Sequence, residues 1–222
     1  FEFFDIFNRD KGSAPSNEMY KFFDRDNNTL VLRPDITPSI ARCVAKYYAD
    51  EELPVRLCYT GNTYTNTLKL QGKLKEVTQI GAELVNDDSS AADAEIIATV
   101  IDCFNEIGIS DFQIEIGQID YFKGLVAESG ISEDEENQIK EYIHIKNFFG
   151  LEEYVDALDI SESLKKAFVA FDSLFGGISM LDKAEGYVSN ETSLEAVKRL
   201  RRVYAALECY GYQDHISFDL GM

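Results

Sequence analysis

The chain has 222 residues, of which 45% are hydrophobic and 12% aromatic, a composition that excludes a disordered chain and suits one or two packed domains. Its formal net charge is −19, from 40 acidic and 21 basic residues. Nucleic-acid binding depends on Lys and Arg at phosphates, so we expect no nucleic-acid partner and interpret the densest basic cluster, residues 198–202, as a solvated helix face. No apolar run reaches the ~20 residues of a membrane span, so we expect no membrane partner.

The cysteines and histidines indicate no metal site. The two histidines, His144 and His215, have no neighbouring ligand in sequence, and no CxxC pair is present. The four cysteines are widely spaced, as in reduced cytoplasmic proteins: Cys43, Cys58, Cys103 and Cys209. We therefore expect a cytoplasmic protein without metal or cofactor. No secretory signal is visible, and both ends resemble cuts within a longer chain.

The first 120 residues are predicted to mix strands and helices. A strand over 29–32 precedes a helix that begins near Pro38, because proline suits the first turn of a helix. The pattern predicts further strands over residues 55–59, 62–67, 74–85 and 112–117, the first two of these being separated at Gly61. A capping box at Ser90–Asp93 predicts the start of a helix that ends at Gly108.

The pattern becomes helical after residue 120. Apolar stripes predict helices over Ser132–Lys146 and Ser161–Phe175, and a capping box at Thr192–Glu195 predicts a helix that continues to Tyr210. A strand is predicted to follow at 216–220. This change of class suggests three parts: residues 1–120 as a core, 121–190 as a helical insertion, and 191–222 as a return to the core.

The segment Gln79–Glu83 is a candidate binding strand. Alternate residues of a strand share a face, so Gln79, Gly81 and Glu83 would line one surface. Gly81 would leave room for a ligand against the backbone, and Gln79 and Glu83 would lie ~13 Å apart at Cα. Their side chains could hold opposite ends of a small zwitterion. The alternative is a polar strand face turned to solvent.

Asp35 and Thr37 form a second candidate group, at a junction between a strand and a helix. Such junctions are frequent ligand sites in mixed α and β proteins. A carboxylate there can pair with an ammonium group, and a nearby hydroxyl can share that ligand. The alternative is that both residues cap the helix that begins near Pro38.

Three segments resemble the core of histidyl-tRNA synthetase: Glu18–Asp26, Leu32–Arg42 and Gln79–Glu83. The resemblance implies an α+β fold of the class II aminoacyl-tRNA synthetase type, in which helices flank an antiparallel sheet. It also implies that Asp35, Thr37 and Gln79 surround the α-amino end of a histidine ligand. Glu83 would then meet the imidazole.

The sequence departs from that family where ATP is bound. Synthetases carry an F-R-x-E core whose arginine grips the α-phosphate, whereas this chain has Tyr64, Thr65, Asn66 and Thr67. Threonine supplies no cation, and losing such charge stabilisation costs orders of magnitude in rate. The loop that follows also has few basic residues: Lys69, Lys73 and Lys75.

This combination resembles the regulatory subunit of ATP phosphoribosyltransferase, a synthetase-like paralogue, as do Ala91–Glu95 and Ser217–Gly221. The resemblance implies a subunit without catalytic residues that supports the first step of histidine biosynthesis. Its implied partners are the catalytic subunit, histidine as feedback effector, and a second copy in a homodimer within a hetero-oligomer. Two alternatives stay open: a divergent enzyme of the histidyl-tRNA synthetase type, and a stand-alone amino-acid-sensing module.

Overall fold

The computed structural model describes residues 1–8, 14–67 and 72–222, which divide into two compact units, Phe1–Asp87 and Asp88–Met222. Both units mix helices with small sheets, as the predicted α+β class requires. The division into residues 1–120, 121–190 and 191–222 stays a prediction. Within the described ranges, no helix combines the length and the apolar character needed to cross a bilayer.

The first unit opens with a small antiparallel sheet in which β3 lies between β1 and β2. A buried cluster of Phe7, Met19 and Val31 lies against this sheet. The elements of this part are β1 (Glu2–Phe3), α1 (Phe4–Phe7), a 3-10 turn (Ser16–Glu18), β2 (Lys21–Phe23) and β3 (Thr29–Val31).

A long antiparallel hairpin and one helix complete the first unit. The helix α2 (Thr37–Tyr47) has proline in its first turn, as predicted. Strands β4 (Val55–Tyr64) and β5 (Glu76–Val85) pair along their whole length. The predicted break at Gly61 is wrong, because Gly61 pairs with Gln79 and its missing side chain leaves the backbone ladder intact.

The second unit is mainly helical around a small sheet. Its strands run in the order β6, β8, β7; β6 and β8 are parallel, whereas β7 and β8 are antiparallel. The helices are α3 (Ser90–Glu106), α4 (Ile119–Ser129), α5 (Glu133–His144), α6 (Phe148–Asp156), α7 (Glu162–Val169), α8 (Met180–Glu185) and α9 (Glu191–Tyr210). The strands are β6 (Ile114–Ile116), β7 (Phe175–Gly176) and β8 (Ile216–Asp219), with 3-10 turns at Ala170–Ser173 and Gln213–His215.

A continuous apolar core holds the second unit together. Fully buried side chains from seven of its helices meet there: Ile101, Leu125, Ile139, Leu151, Phe168, Leu181 and Leu207. Tyr121 is also buried, and its hydroxyl donates to the carbonyl of Ala184 at 2.9 Å. Burial raises the pKa of Tyr121, so the phenol stays neutral and its hydrogen bond ties α4 to α8.

Two predicted capping boxes are wrong in position. The N-cap of α3 is Ser89, whose hydroxyl accepts from the Ala92 amide at 3.2 Å, and not the predicted Ser90. The N-cap of α9 is Asn190, whose side chain accepts from the Ser193 amide at 2.7 Å, and not Thr192. In both cases a polar residue one or two places earlier has the extended backbone that an N-cap requires.

The basic cluster on α9 is neutralised locally. Its arginines form ion pairs with carboxylates of the same unit: Arg199 with Asp93 at 2.7 Å, Arg201 with Asp182 at 2.7 Å, and Arg202 with Glu195 at 2.6 Å. Cations that are already paired in this way contribute little positive electrostatic potential to attract a phosphate backbone. The interpretation of this cluster as a helix face agrees with these contacts.

Candidate functional site

A hydrogen bond joins two of the predicted ligand groups. The Thr37 hydroxyl, at the first residue of α2, donates to Glu83 Oε1 on β5 at 2.7 Å. Bonds to an ionised acceptor are shorter and stronger than neutral ones, so this contact holds the carboxylate in one orientation. The helix start and the strand therefore meet at Glu83, whereas a histidine site at these residues stays a prediction.

Asp35 precedes the helix and contacts its first amide. The Asp35 carboxylate accepts from the Thr37 backbone N–H at 3.1 Å through Oδ1. The N-cap position itself, Ile36, has no side-chain cap. The local capping role is thus present for Asp35, whereas the Thr37 side chain points to Glu83. Among the described residues, Asp35 Oδ2 has no hydrogen-bond partner, which leaves it available to a ligand.

Gln79 shares the face of Glu83 without contacting it. The β4–β5 register places Gln79 opposite Gly61 and Gly81 opposite Tyr59. Because the side-chain period of a strand is two, Gln79, Gly81 and Glu83 line one face. Gln79 is exposed and forms no hydrogen bond within the part of the chain that the structure describes. Its role as a ligand group stays a prediction.

The space above Gly81 is occupied by a tyrosine ring. A Cβ at residue 81 would collide with the end of the Tyr59 side chain, which folds across from the opposite strand. A ligand on this face would therefore contact the phenol ring rather than bare backbone. Tyr59 was not predicted as a site residue, because only the strand register places it beside Gly81.

Arg33 also lies on this face and was not predicted as a site residue. Its Nε donates to the carbonyl of Asn62 at 2.9 Å, and its own carbonyl accepts from the Tyr64 amide at 3.0 Å. The guanidinium covers Gly61, where a Cβ would lie 2.5 Å from Arg33 Nη2. A glycine opposite the polar Gln79 was the only sequence signal for this close approach.

Thr65 and Thr67 follow directly after β4. The Thr65 amide donates to the carbonyl of Lys75 at 3.0 Å, which extends the hairpin by one pair. Lys69, one of the three lysines of the following loop, lies outside the described residues. At positions 65 and 67 the chain presents hydroxyls, which carry no charge for a phosphate.

The histidines do not gather metal ligands. Within the ranges that the structure describes, no cluster of three or more His, Cys, Asp or Glu side chains is placed to hold a metal ion. The ring of His215 instead stacks on Phe112, with centroids 4.4 Å apart.

The model of the histidyl-tRNA synthetase family matches residues 1–222. A curated relative, the ATP phosphoribosyltransferase regulatory subunit of Acetivibrio thermocellus, is 41% identical over 221 residues, which cover 100% of this chain and 53% of that protein. The chain spans about half the length of the curated relatives that it matches.

Two solved structures resemble the fold. An ATP phosphoribosyltransferase regulatory subunit/histidyl-tRNA synthetase from Bacillus halodurans has a TM-score of 0.86 and 33% identity, over 94% of this chain and 54% of that chain. The ATP phosphoribosyl transferase (HisG:HisZ) complex from Thermotoga maritima has a TM-score of 0.67 and 18% identity, over 96% of this chain and 72% of that chain. The second likeness concerns the fold alone. Together they confirm the predicted class II synthetase-like fold.

Proposed function

This chain belongs to the histidyl-tRNA synthetase family, and we propose that the protein containing it is a regulatory subunit of ATP phosphoribosyltransferase. It would bind histidine without activating it and would catalyse no reaction of its own, aminoacylation included. Its place would be the first step of histidine biosynthesis, in the cytoplasm. The name of the Acetivibrio thermocellus relative supports this proposal.

The observation that carries the proposal is a set of candidate amino-acid-binding side chains without the charged side chains that would bind the phosphates of ATP. Thr37 holds Glu83 at 2.7 Å on the polar face of the hairpin. The same hairpin has Thr65 and Thr67 in the positions where a synthetase places its arginine and glutamate. Adenylate formation depends on charge stabilisation of the α-phosphate, so this arrangement favours binding over activation.

The proposed ligand contacts follow from the charges of the site. Asp35 offers Oδ2 to the α-ammonium group, together with Thr37 and Gln79. Glu83 would accept from the imidazole. Two carboxylates suit a ligand that presents an ammonium group and an N–H donor at opposite ends.

The proposed partner is the catalytic subunit of ATP phosphoribosyltransferase, in a hetero-oligomer that contains a homodimer of this protein. The Thermotoga maritima structure is named an ATP phosphoribosyl transferase (HisG:HisZ) complex, and its fold resembles this chain, which supports a partner of this kind. For histidine to inhibit, it must bind the inhibited arrangement of the complex more tightly than the active one, because a ligand shifts an equilibrium only through differential affinity.

The test is reconstitution. The full-length protein is mixed with its catalytic subunit, and phosphoribosyl transfer is measured with and without histidine. We expect the rate to rise on mixing and to fall with histidine. If adding the full-length protein changes neither the rate of phosphoribosyl transfer nor its sensitivity to histidine, the proposal is contradicted.

A second assay separates the regulator from a divergent synthetase. Histidine-dependent exchange between pyrophosphate and ATP reports adenylate formation directly. We expect no exchange above background, because Thr65 provides no cation for the α-phosphate. Exchange at the rate of an ordinary synthetase would show that the protein is an activating enzyme.

A further inference from the structure

We propose that Arg33 binds the carboxylate of the amino-acid ligand. This inference rests on the proposed histidine site and deepens it, since none of Asp35, Thr37, Gln79 and Glu83 has been assigned to the ligand's anionic end. Asp35 and Glu83 would repel a carboxylate, and Thr65 supplies no charge. A zwitterion bound at this face needs a cation for its carboxylate, and Arg33 is a cation that the described part of this unit places there.

Among the described residues, the Arg33 side chain forms one hydrogen bond, through Nε. Its Nε donates to the Asn62 carbonyl at 2.9 Å, which fixes the plane of the guanidinium. The Tyr64 amide donates to the Arg33 carbonyl at 3.0 Å and fixes the backbone. Guanidinium carries five N–H donors in a rigid fork, so the single bond through Nε leaves the Nη groups for another acceptor.

The guanidinium lies on the ligand face. A Cβ on Gly61 would lie 2.5 Å from Arg33 Nη2, so the arginine occupies the side of the strand to which a side chain at 61 would point. Gly61 pairs directly with Gln79. Side chains of opposite residues in an antiparallel pair project to the same face. Arg33 therefore lies beside Gln79, on the face that carries Glu83.

The described residues provide no counter-ion for the charge on Arg33. Arg33 is half-buried, and within the described ranges no carboxylate lies close enough to form an ion pair with it. By contrast, Arg42 in the same unit pairs with Glu2 at 2.8 Å. A half-buried guanidinium with free Nη donors suits a carboxylate, which it can contact through two parallel bonds.

The resulting site matches an α-amino acid at both of its charged groups. Arg33 supplies the cation for the carboxylate, and Asp35 Oδ2, which has no hydrogen-bond partner among the described residues, supplies the anion for the ammonium group. The two side chains come from one segment, two residues apart, at the entry to α2. This segment would bind the α-ammonium and carboxylate groups of the amino acid, while Glu83 would bind its side chain.

The experiment compares histidine with histidinol, which has the same imidazole and amine but a hydroxymethyl group in place of the carboxylate. Binding of both compounds to the full-length protein is measured by calorimetry, for the wild type and Arg33→Gln. We expect the wild type to prefer histidine by about tenfold or more, the scale of a hydrogen bond to a charged group. Arg33→Gln should lose that preference while it still binds histidinol.

A purely structural role of Arg33 predicts a different pattern. If the arginine only ties residue 33 to β4, Arg33→Gln weakens histidine and histidinol by the same factor, and that result overturns the inference. Retained histidinol binding shows that the variant is folded. If the wild type binds neither compound, the histidine site itself is refuted and the inference fails with it.

Two further variants sharpen the test. Gly61→Ala would force the guanidinium aside without removing its charge, so it should also reduce the preference for histidine. Arg25→Gln removes one positive charge from an exposed turn of the same unit and serves as the matched control. We expect Arg25→Gln to keep the wild-type preference; an equal loss in this control would assign the effect to net charge and contradict the role of Arg33.

Discussion

The two units are stabilised in different ways. The second unit buries a continuous core to which seven helices contribute fully buried side chains. In the first unit, the buried cluster consists of Phe7, Met19 and Val31, and α2 buries no residue completely. Ile80, on the hairpin, is 81% exposed. The candidate site is therefore held by backbone pairing and by hydrogen bonds such as Thr37–Glu83, so changes there should affect binding more than stability.

The largest expected effect tests the core of the second unit. Phe168 is 0% exposed, so Phe168→Ala should lower the free energy of unfolding by about 3–5 kcal/mol through lost burial and a residual cavity. Urea unfolding of the full-length protein measures this loss. The matched control is Phe149→Ala, at a position that is 70% exposed, where we expect less than about 1 kcal/mol. Equal losses at both positions would contradict the described core.

The next effect concerns binding in the first unit. Thr37→Val removes the hydroxyl that orients Glu83, so histidine affinity should fall by about tenfold, the scale of one hydrogen bond to a charged group. The unfolding midpoint should change little, because Thr37 is exposed. Calorimetry and urea unfolding report the two quantities separately. Thr99→Val removes an exposed hydroxyl on α3 and is the control. If Thr37→Val lowered stability without lowering histidine affinity, it would contradict the expectation that changes at the candidate site affect binding more than stability.

A smaller effect distinguishes the two candidate caps of α9. Asn190 accepts from the Ser193 amide at 2.7 Å, so Asn190→Ala should cost about 1 kcal/mol of stability. Thr192→Ala, at the position where the sequence predicts the cap, should cost only a few tenths, roughly the scale of an ordinary surface change. Chemical denaturation of the two variants decides between the positions. A greater loss for Thr192→Ala would restore the predicted capping box.

The smallest effect is a pH dependence in the first unit. The hydrogen bond from Arg42 lowers the pKa of Glu2 below its ordinary value of 4.5, with further help from Ser39. Because the folded pKa is depressed, this stabilisation is complete above about pH 4.5 and is lost as the pH falls through the folded pKa. Arg42 is exposed, so the amount is about 0.5–1 kcal/mol at most.

Glu2→Gln provides the measurement for this pH dependence. The difference in unfolding free energy between wild type and Glu2→Gln should favour the wild type near neutral pH and shrink in acid, at roughly pH 3 and below. A difference that is constant with pH would show that the Glu2 charge contributes nothing to the first unit.

Much of the fold follows from periodicity in the sequence. The hairpin strands and the helices α2 and α9 were predictable because their apolar and turn residues recur with the periods of strand and helix. The continuity of β4 was not predictable. A glycine in a strand pattern suggests a break, and only the pairing of Gly61 with Gln79 on the partner strand shows that the ladder continues. The N-caps Ser89 and Asn190 were missed because several polar residues precede each helix and only the backbone angles select one.

The site was predictable only in part, for a related reason. The alternation Gln79, Gly81, Glu83 places these residues on one face from sequence alone. Arg33 and Tyr59 lie on that face because of the register of β4 against β5 and because their side chains approach two glycines closely. Both features belong to the tertiary structure. The pairing of Thr37 with Glu83 joins residues 46 positions apart, so the sequence could suggest their shared role only through resemblance.

The most direct measurement of the central claim is histidine inhibition of the reconstituted transferase complex, with wild type and with Glu83→Ala. We expect histidine to inhibit the wild-type complex, and we expect Glu83→Ala to shift the inhibition midpoint to at least about tenfold higher histidine, through loss of a charged hydrogen bond. Glu52→Ala, an exposed glutamate of the same unit, should leave the midpoint unchanged. An inhibition curve that is the same for wild type and Glu83→Ala would contradict histidine binding at this site.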